Sequence, residues 1–235
     1  TPAIAMQGKC DDATTGAGQR GLYFTLAGTT VSATGGGNIT FTGDNVAVAS
    51  TNPGSIYMPG VDVLASGGTI KIDSLSDGVV LSTSGYTSDF GAISGGTSAA
   101  AVNIIGDKVI SAGTANVKTT GAVSIESSGA NFSSISLANI NIDSGASSIR
   151  IGKTTDTGSS ITTSGALAAA GPISIYGATI TVSSNLTSSL ASAAITLKAS
   201  GNINVDANRT LSNSATGGGP IILWADSKIG RASCG

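Results

Sequence analysis

Residues 195–205 read Ile195-Thr196-Leu197-Lys198-Ala199-Ser200-Gly201-Asn202-Ile203-Asn204-Val205. Two runs in which every second side chain is aliphatic are joined by Ala-Ser-Gly-Asn. A period of two sends alternate side chains to opposite sides of a strand, and Ser, Gly and Asn end such runs. The stretch therefore reads as two short strands meeting at a corner.

The same unit, a small residue or Gly followed by an apolar-polar-apolar triplet, recurs along the chain. It appears as Gly37-Asn38-Ile39-Thr40-Phe41, Gly68-Thr69-Ile70-Lys71-Ile72, Gly121-Ala122-Val123-Ser124-Ile125, Ile149-Arg150-Ile151, Gly171-Pro172-Ile173-Ser174-Ile175 and Gly219-Pro220-Ile221-Ile222-Leu223, with Val102-Asn103-Ile104 as a copy without the Gly. With Ile195 this makes eight units, whose first apolar residues are spaced 31, 32, 21, 26, 24, 22 and 26 residues apart, a mean of 26. Between them lie further alternating runs at Val46-Ala47-Val48, Val79-Val80-Leu81, Ile140-Asn141-Ile142, Ile180-Thr181-Val182 and Ile203-Asn204-Val205, so each repeat holds at least two strands.

A coil of two or three short strands cannot bury its apolar face alone; stacked coils share one interior. This predicts an all-β fold, a single-stranded parallel β-helix (β-solenoid) of about eight coils. At ~4.8 Å per coil it would be a rod of roughly 35–40 Å. Glycine at the corners is expected to supply positive φ, and Asn to bond to the amide of the coil above. The competing fold is a β-sandwich, which would bring more aromatics and less Gly. Helix is disfavoured by β-branched residues and Gly; Leu186 to Ala194, with Leu186 and Leu190 four apart, reads as a loop or a short helical turn.

Composition narrows the functional classes. The 34 glycines suggest a flexible linker, but Ile and Val spread along the chain and a net charge of −2 argue against disorder. No run approaches the ~20 apolar residues of a membrane-spanning helix, so no membrane insertion is expected. Eleven basic residues face thirteen acidic ones, scattered singly, which excludes a phosphate-binding patch and a nucleic-acid partner. Thr1 to Gln7 has neither a basic start nor a long apolar run, as expected of a mature chain whose leader has been cleaved.

Residues 1–34 carry no copy of the unit, yet Leu22-Tyr23-Phe24-Thr25-Leu26 alternates. The open ends of a solenoid invite polymerisation unless covered. Residues 1–34 are therefore assigned as an N-terminal cap or intersubunit strand segment, with Leu22, Phe24 and Leu26 as the candidate intersubunit strand. Residues 35–228 form the parallel β-helix and 229–235 a C-terminal tail.

The stretch 195–205, followed by Asn208-Arg209-Thr210-Leu211 and Gly219-Pro220-Ile221-Ile222-Leu223-Trp224-Ala225-Asp226-Ser227, resembles the repeat region of filamentous-haemagglutinin-like adhesins, which belong among the large bacterial β-strand-repeat surface proteins. The resemblance is clear over 165–228 and diffuse over 37–164. It implies a right-handed parallel β-helix exported across the outer membrane as the shaft of an adhesin, and hence an extracellular location, at the bacterial surface or secreted. This chain is far shorter than such shafts, and its first 34 residues do not resemble their secretion domain.

No catalytic, cofactor-binding or metal-binding residues are assigned. Histidine is absent, which removes the usual general base and the commonest metal ligand. Asp73 with Asp77, or Asp11 with Asp12, would suit a glycosidase pair or calcium, but read more simply as solvated turn carboxylates. Asn-x-Ser/Thr matches at Asn38, Asn131, Asn185 and Asn208 are expected by chance. Trp224 is assigned as a plug of the last coil, with sugar stacking as the alternative. Cys10 and Cys234 lie at opposite ends of a linear rod, whereas a disulfide needs Cα atoms within about 7 Å. The expectation is that Cys10 of one subunit meets Cys234 of the next, forming a head-to-tail filament in an oxidising setting; an internal bridge and free thiols are the alternatives.

Three functions compete. The first is a non-enzymatic structural subunit or segment of a bacterial surface fibre, whose partners are copies of itself. The second is a carbohydrate- or surface-binding adhesin module that takes host or surface glycans. The third, a β-helical polysaccharide-degrading enzyme, lacks the expected acidic and basic clusters.

Overall fold

A computed structural model describes residues 3–10, 20–45, 54–91, 98–165 and 167–225. These are all-β, with no helix among them, and the pairings are parallel. One sheet runs without a break through nine strands, from Ile4–Cys10 to Ile221–Trp224. Its register aligns Ile4, Ile39, Ile70, Val102, Val123, Ile149, Ile173, Ile195 and Ile221 in a single column. A second column, two residues along each strand, runs from Met6 and Phe41 to Leu197 and Leu223. The recurring triplets therefore lie over one another, as the β-solenoid reading requires.

From Ile39 to Ile195 every member of the first column is at most 1% exposed. Each buried Ile contributes about 1.5–3 kcal/mol relative to an exposed one. Phe24 packs edge-on against Phe41, with ring centroids 5.5 Å apart, and closes the core near its N-terminal end.

Each complete coil contains three strands. After the long-sheet strand the chain forms a second strand, such as Ile56–Tyr57 or Lys108–Ile110, and then a third, such as Val61–Ala65 or Thr114–Lys118. The second and third strands form five-stranded sheets through the first five coils. New three-stranded sheets then take their places, the second position beginning with Ser160–Thr163 and the third with Leu167–Ala169. Among the described residues only the long sheet crosses this discontinuity.

The interleaved runs do not form one class. Val79–Val80 belongs to the second position, Ile140–Ile142 to the third, and Ile180–Val182 and Ile203–Val205 to the second position of the later coils. Val46 to Val48 lies outside the described residues.

Among the described residues eight complete three-strand coils are followed by a ninth long-sheet strand, in keeping with about eight coils; the copy not counted from the sequence is Ile4-Ala5-Met6, which lacks both the Gly and the polar middle residue. Residues 4–10, 22–23 and 29–33 thereby belong to the first coil itself. One expectation is corrected. Leu186–Ser188 is a strand, with Leu186 fully buried and Leu190 57% exposed, so the two leucines face different surroundings. Positive φ is found at corner glycines such as Gly36, Gly67 and Gly152, whereas the glycine of the repeat unit meets a different need. Gly68, Gly121 and Gly171 are absent from the left-handed set, and a Cβ on them would lie 1.9, 1.9 and 1.8 Å from a carbonyl oxygen of the preceding coil. They are required by close approach of two backbones.

Asn side chains link the coils as expected of a solenoid. Asn141 donates to Asn116 at 3.0 Å, and Asn116 to Asp89 at 2.7 Å. This ladder stands at outward mid-strand positions of the third sheet, since Asp89, Asn116 and Asn141 are register partners.

Candidate functional site

On the outside of the long sheet, Asn103, Ser124, Arg150 and Ser174 are successive register partners. Outward positions two residues earlier carry the small residues Ala122 and Ser148, with Pro172 beside them. Short side chains between taller neighbours leave a shallow trough of about 290 Å³, floored by the strands at Val123 and Ile149. Ser124 donates to Asn103 Oδ1 at 2.8 Å. The Arg150 guanidinium pairs with Glu126 on the side away from Ala122 and Ser148, and the Arg150 side chain remains 50% exposed.

The same outer face carries a column of Tyr176, Lys198 and Trp224 toward the C-terminal end. Trp224 is 56% exposed, with Lys198 Nζ 5.5 Å from its ring centroid, so its side chain stands outside the core. This corrects the plug assignment: Trp224 shares the outward register of Lys198, while the inward positions of that strand are Ile221 and Leu223. Those two are 45% and 52% exposed because no described strand lies on them.

Of the candidate intersubunit strand, Leu22 pairs with Ile56 of the same chain, and the Phe24 N–H donates to the Tyr57 carbonyl. One edge is thus used within the molecule, and the other is the end of its sheet. Leu26 is 71% exposed. Beside them Arg20 lies over both Tyr23 and Tyr57, 4.5 and 3.8 Å from the centroids. Those ring faces are already occupied by a guanidinium.

Cys10 ends the first strand of the long sheet, aligned with Asn45 and half-buried. Cys234, the other half of the expected intersubunit bridge, lies outside the described residues, as do Asp11, Asp12 and the 229–235 tail.

Among the described residues several carboxylates are engaged structurally. Asp73 pairs with Lys71 at 2.6 Å and Asp77 with Lys108 at 3.0 Å. Asp89 takes Lys118 at 2.5 Å. Among the described residues no three His, Cys, Asp or Glu side chains gather as metal ligands would.

Three of the four Asn-x-Ser/Thr asparagines have a role the sequence did not disclose. Asn38, Asn131 and Asn185 each accept a backbone N–H from the next coil, at Thr69, at Thr157 and Gly158, and at Thr210. The signal was available in their similar placement just before a strand or corner, but it is masked by the abundance of Asn and Thr. Comparison with protein-family models, with curated proteins and with solved structures returned no match.

Proposed function

We propose that this chain is a non-enzymatic structural element: a β-solenoid section of an extracellular bacterial surface fibre of the adhesin-shaft kind. The observation that carries this reading is the nine-stranded sheet whose two apolar columns run from one end of the molecule to the other. Ile221 and Leu223 hold the inward register yet stay half-exposed, so a further coil, from the same chain or from another copy, would continue both columns. At the opposite end Ile4 and Met6 occupy those columns on a strand paired along one edge only.

A head-to-tail contact of this kind joins two different patches, and stacking of successive copies along the rod axis makes it open-ended, so that filaments form. A Cys10 to Cys234 bridge between successive copies would lock it covalently. The polar side chains support the reading indirectly: carboxylates and amides are spent on linking neighbouring coils, as between Asp89, Asn116 and Asn141.

Electron microscopy of the purified chain tests the proposal. Narrow rods or end-to-end filaments, with a reducible ladder on non-reducing electrophoresis, are expected. Compact particles whose size does not change with concentration and a monomer band insensitive to reductant would remove the filament. Hydrolysis of a polysaccharide by the chain would remove the structural reading.

A further inference from the structure

We infer that the trough on the outer face of the long sheet is a binding site for a neutral oligosaccharide lying along the solenoid axis. Its polar wall is the column Asn103, Ser124, Arg150, Ser174, in which hydrogen-bonding side chains repeat once per coil, every ~4.8 Å. Among the described residues the Asn103 amide nitrogen and the Ser148 and Ser174 hydroxyls have no hydrogen bond within the protein. Arg150 commits one of its nitrogens to Glu126, leaving most of its N–H donors. The amide and guanidinium nitrogens donate and the two hydroxyls both donate and accept, which matches the mixed donor and acceptor character of sugar hydroxyls.

Other ligand classes fit less well. The Arg150 charge is balanced by Glu126 just outside the trough, so an acidic polymer or nucleic acid would find no surplus cation there. An extended peptide gains most by adding to a sheet edge, but here the floor is the face of a sheet whose backbone groups already pair along the ladder. An apolar ligand would desolvate the polar wall without replacing its hydrogen bonds. The Arg150–Glu126 pair itself is too exposed to add much stability. What it does is hold the guanidinium toward Glu126, away from Ala122 and Ser148, leaving the trough open.

The test is retention of the full chain on an array carrying neutral oligosaccharides of hexose and N-acetylhexosamine beside sialylated and sulfated ones. Neutral glycans are expected to be retained, with binding weakened tenfold or more by Ser148→Tyr, which fills the trough, and by Arg150→Met. Thr181→Tyr, on a different sheet, should change nothing. If Ser148→Tyr does not fold, Arg150→Met carries the comparison. The inference is overturned if no neutral glycan is retained, if only acidic ones are, or if the folded trough variants bind as the parent does. None of these outcomes bears on filament formation, which the micrographs read separately.

Discussion

The carbonyl oxygen of Ser147 lies 1.8 Å from the point where a Cβ on Gly171 would stand. Two backbones from adjacent coils meet there with no room for a methyl group. Gly171→Ala must therefore push the coils apart or distort the ladder, at a cost of about 1–3 kcal/mol or more. Gly217 is the useful contrast: its φ is +74° but no atom lies within 4 Å of a Cβ there, so Gly217→Ala should cost only about 1 kcal/mol. Urea unfolding of the two variants checks the order; equal midpoints would refute the close-approach argument.

Thr163 points into the dry interior. It is fully buried, its register partner is Val182, and its hydroxyl has no partner among the described residues. Thr163→Val keeps the shape and removes an unsatisfied polar group, so it should stabilise the chain by about 1 kcal/mol. A lower melting temperature for the variant would show that the hydroxyl is satisfied in solution.

Asn131 accepts the N–H groups of Thr157 and Gly158 across the boundary where the second and third sheets are interrupted. Asn131→Ala removes both bonds, and about 1 kcal/mol of stability is expected to go with them. Hydrogen exchange at these two amides gives a direct reading: they should lose protection first, ahead of the long-sheet strand Ser148–Ile151.

Position along one column separates folding from association. Ile125 is fully buried, and Ile125→Ala should cost about 2–5 kcal/mol wherever it is measured. Ile221 is 45% exposed, and Ile221→Ser should leave the isolated chain's stability nearly unchanged while shortening or abolishing end-to-end filaments in micrographs. Filaments of normal length from the Ile221→Ser variant would place the contact elsewhere.

The periodic aliphatic triplets make the stacked architecture legible in the sequence, because a period-two run too short to bury its own face has few partners besides its own repeats. Ile39, Ile70, Val123 and Ile173 were identified from such triplets and are all buried in one column. Ile4 was not, since Ile4-Ala5-Met6 lacks the punctuation that marks the other copies, and only its pairing with Ile39 reveals it. Trp224 shows the same limit: proximity in sequence to Ile221 and Leu223 suggested the core, but its register over Lys198 faces it outward.

Local pattern thus decides which residues alternate and where the chain can turn, because strand periodicity and turn chemistry act over a few residues. Which strand of a coil joins which sheet, which glycine is needed for contact and not for its φ angle, and where small outward residues leave a trough beside Arg150 depend on register between residues 19 to 35 apart in the chain. Those relationships arise only when the coils are laid on one another, since each depends on what the neighbouring coil presents at the same height.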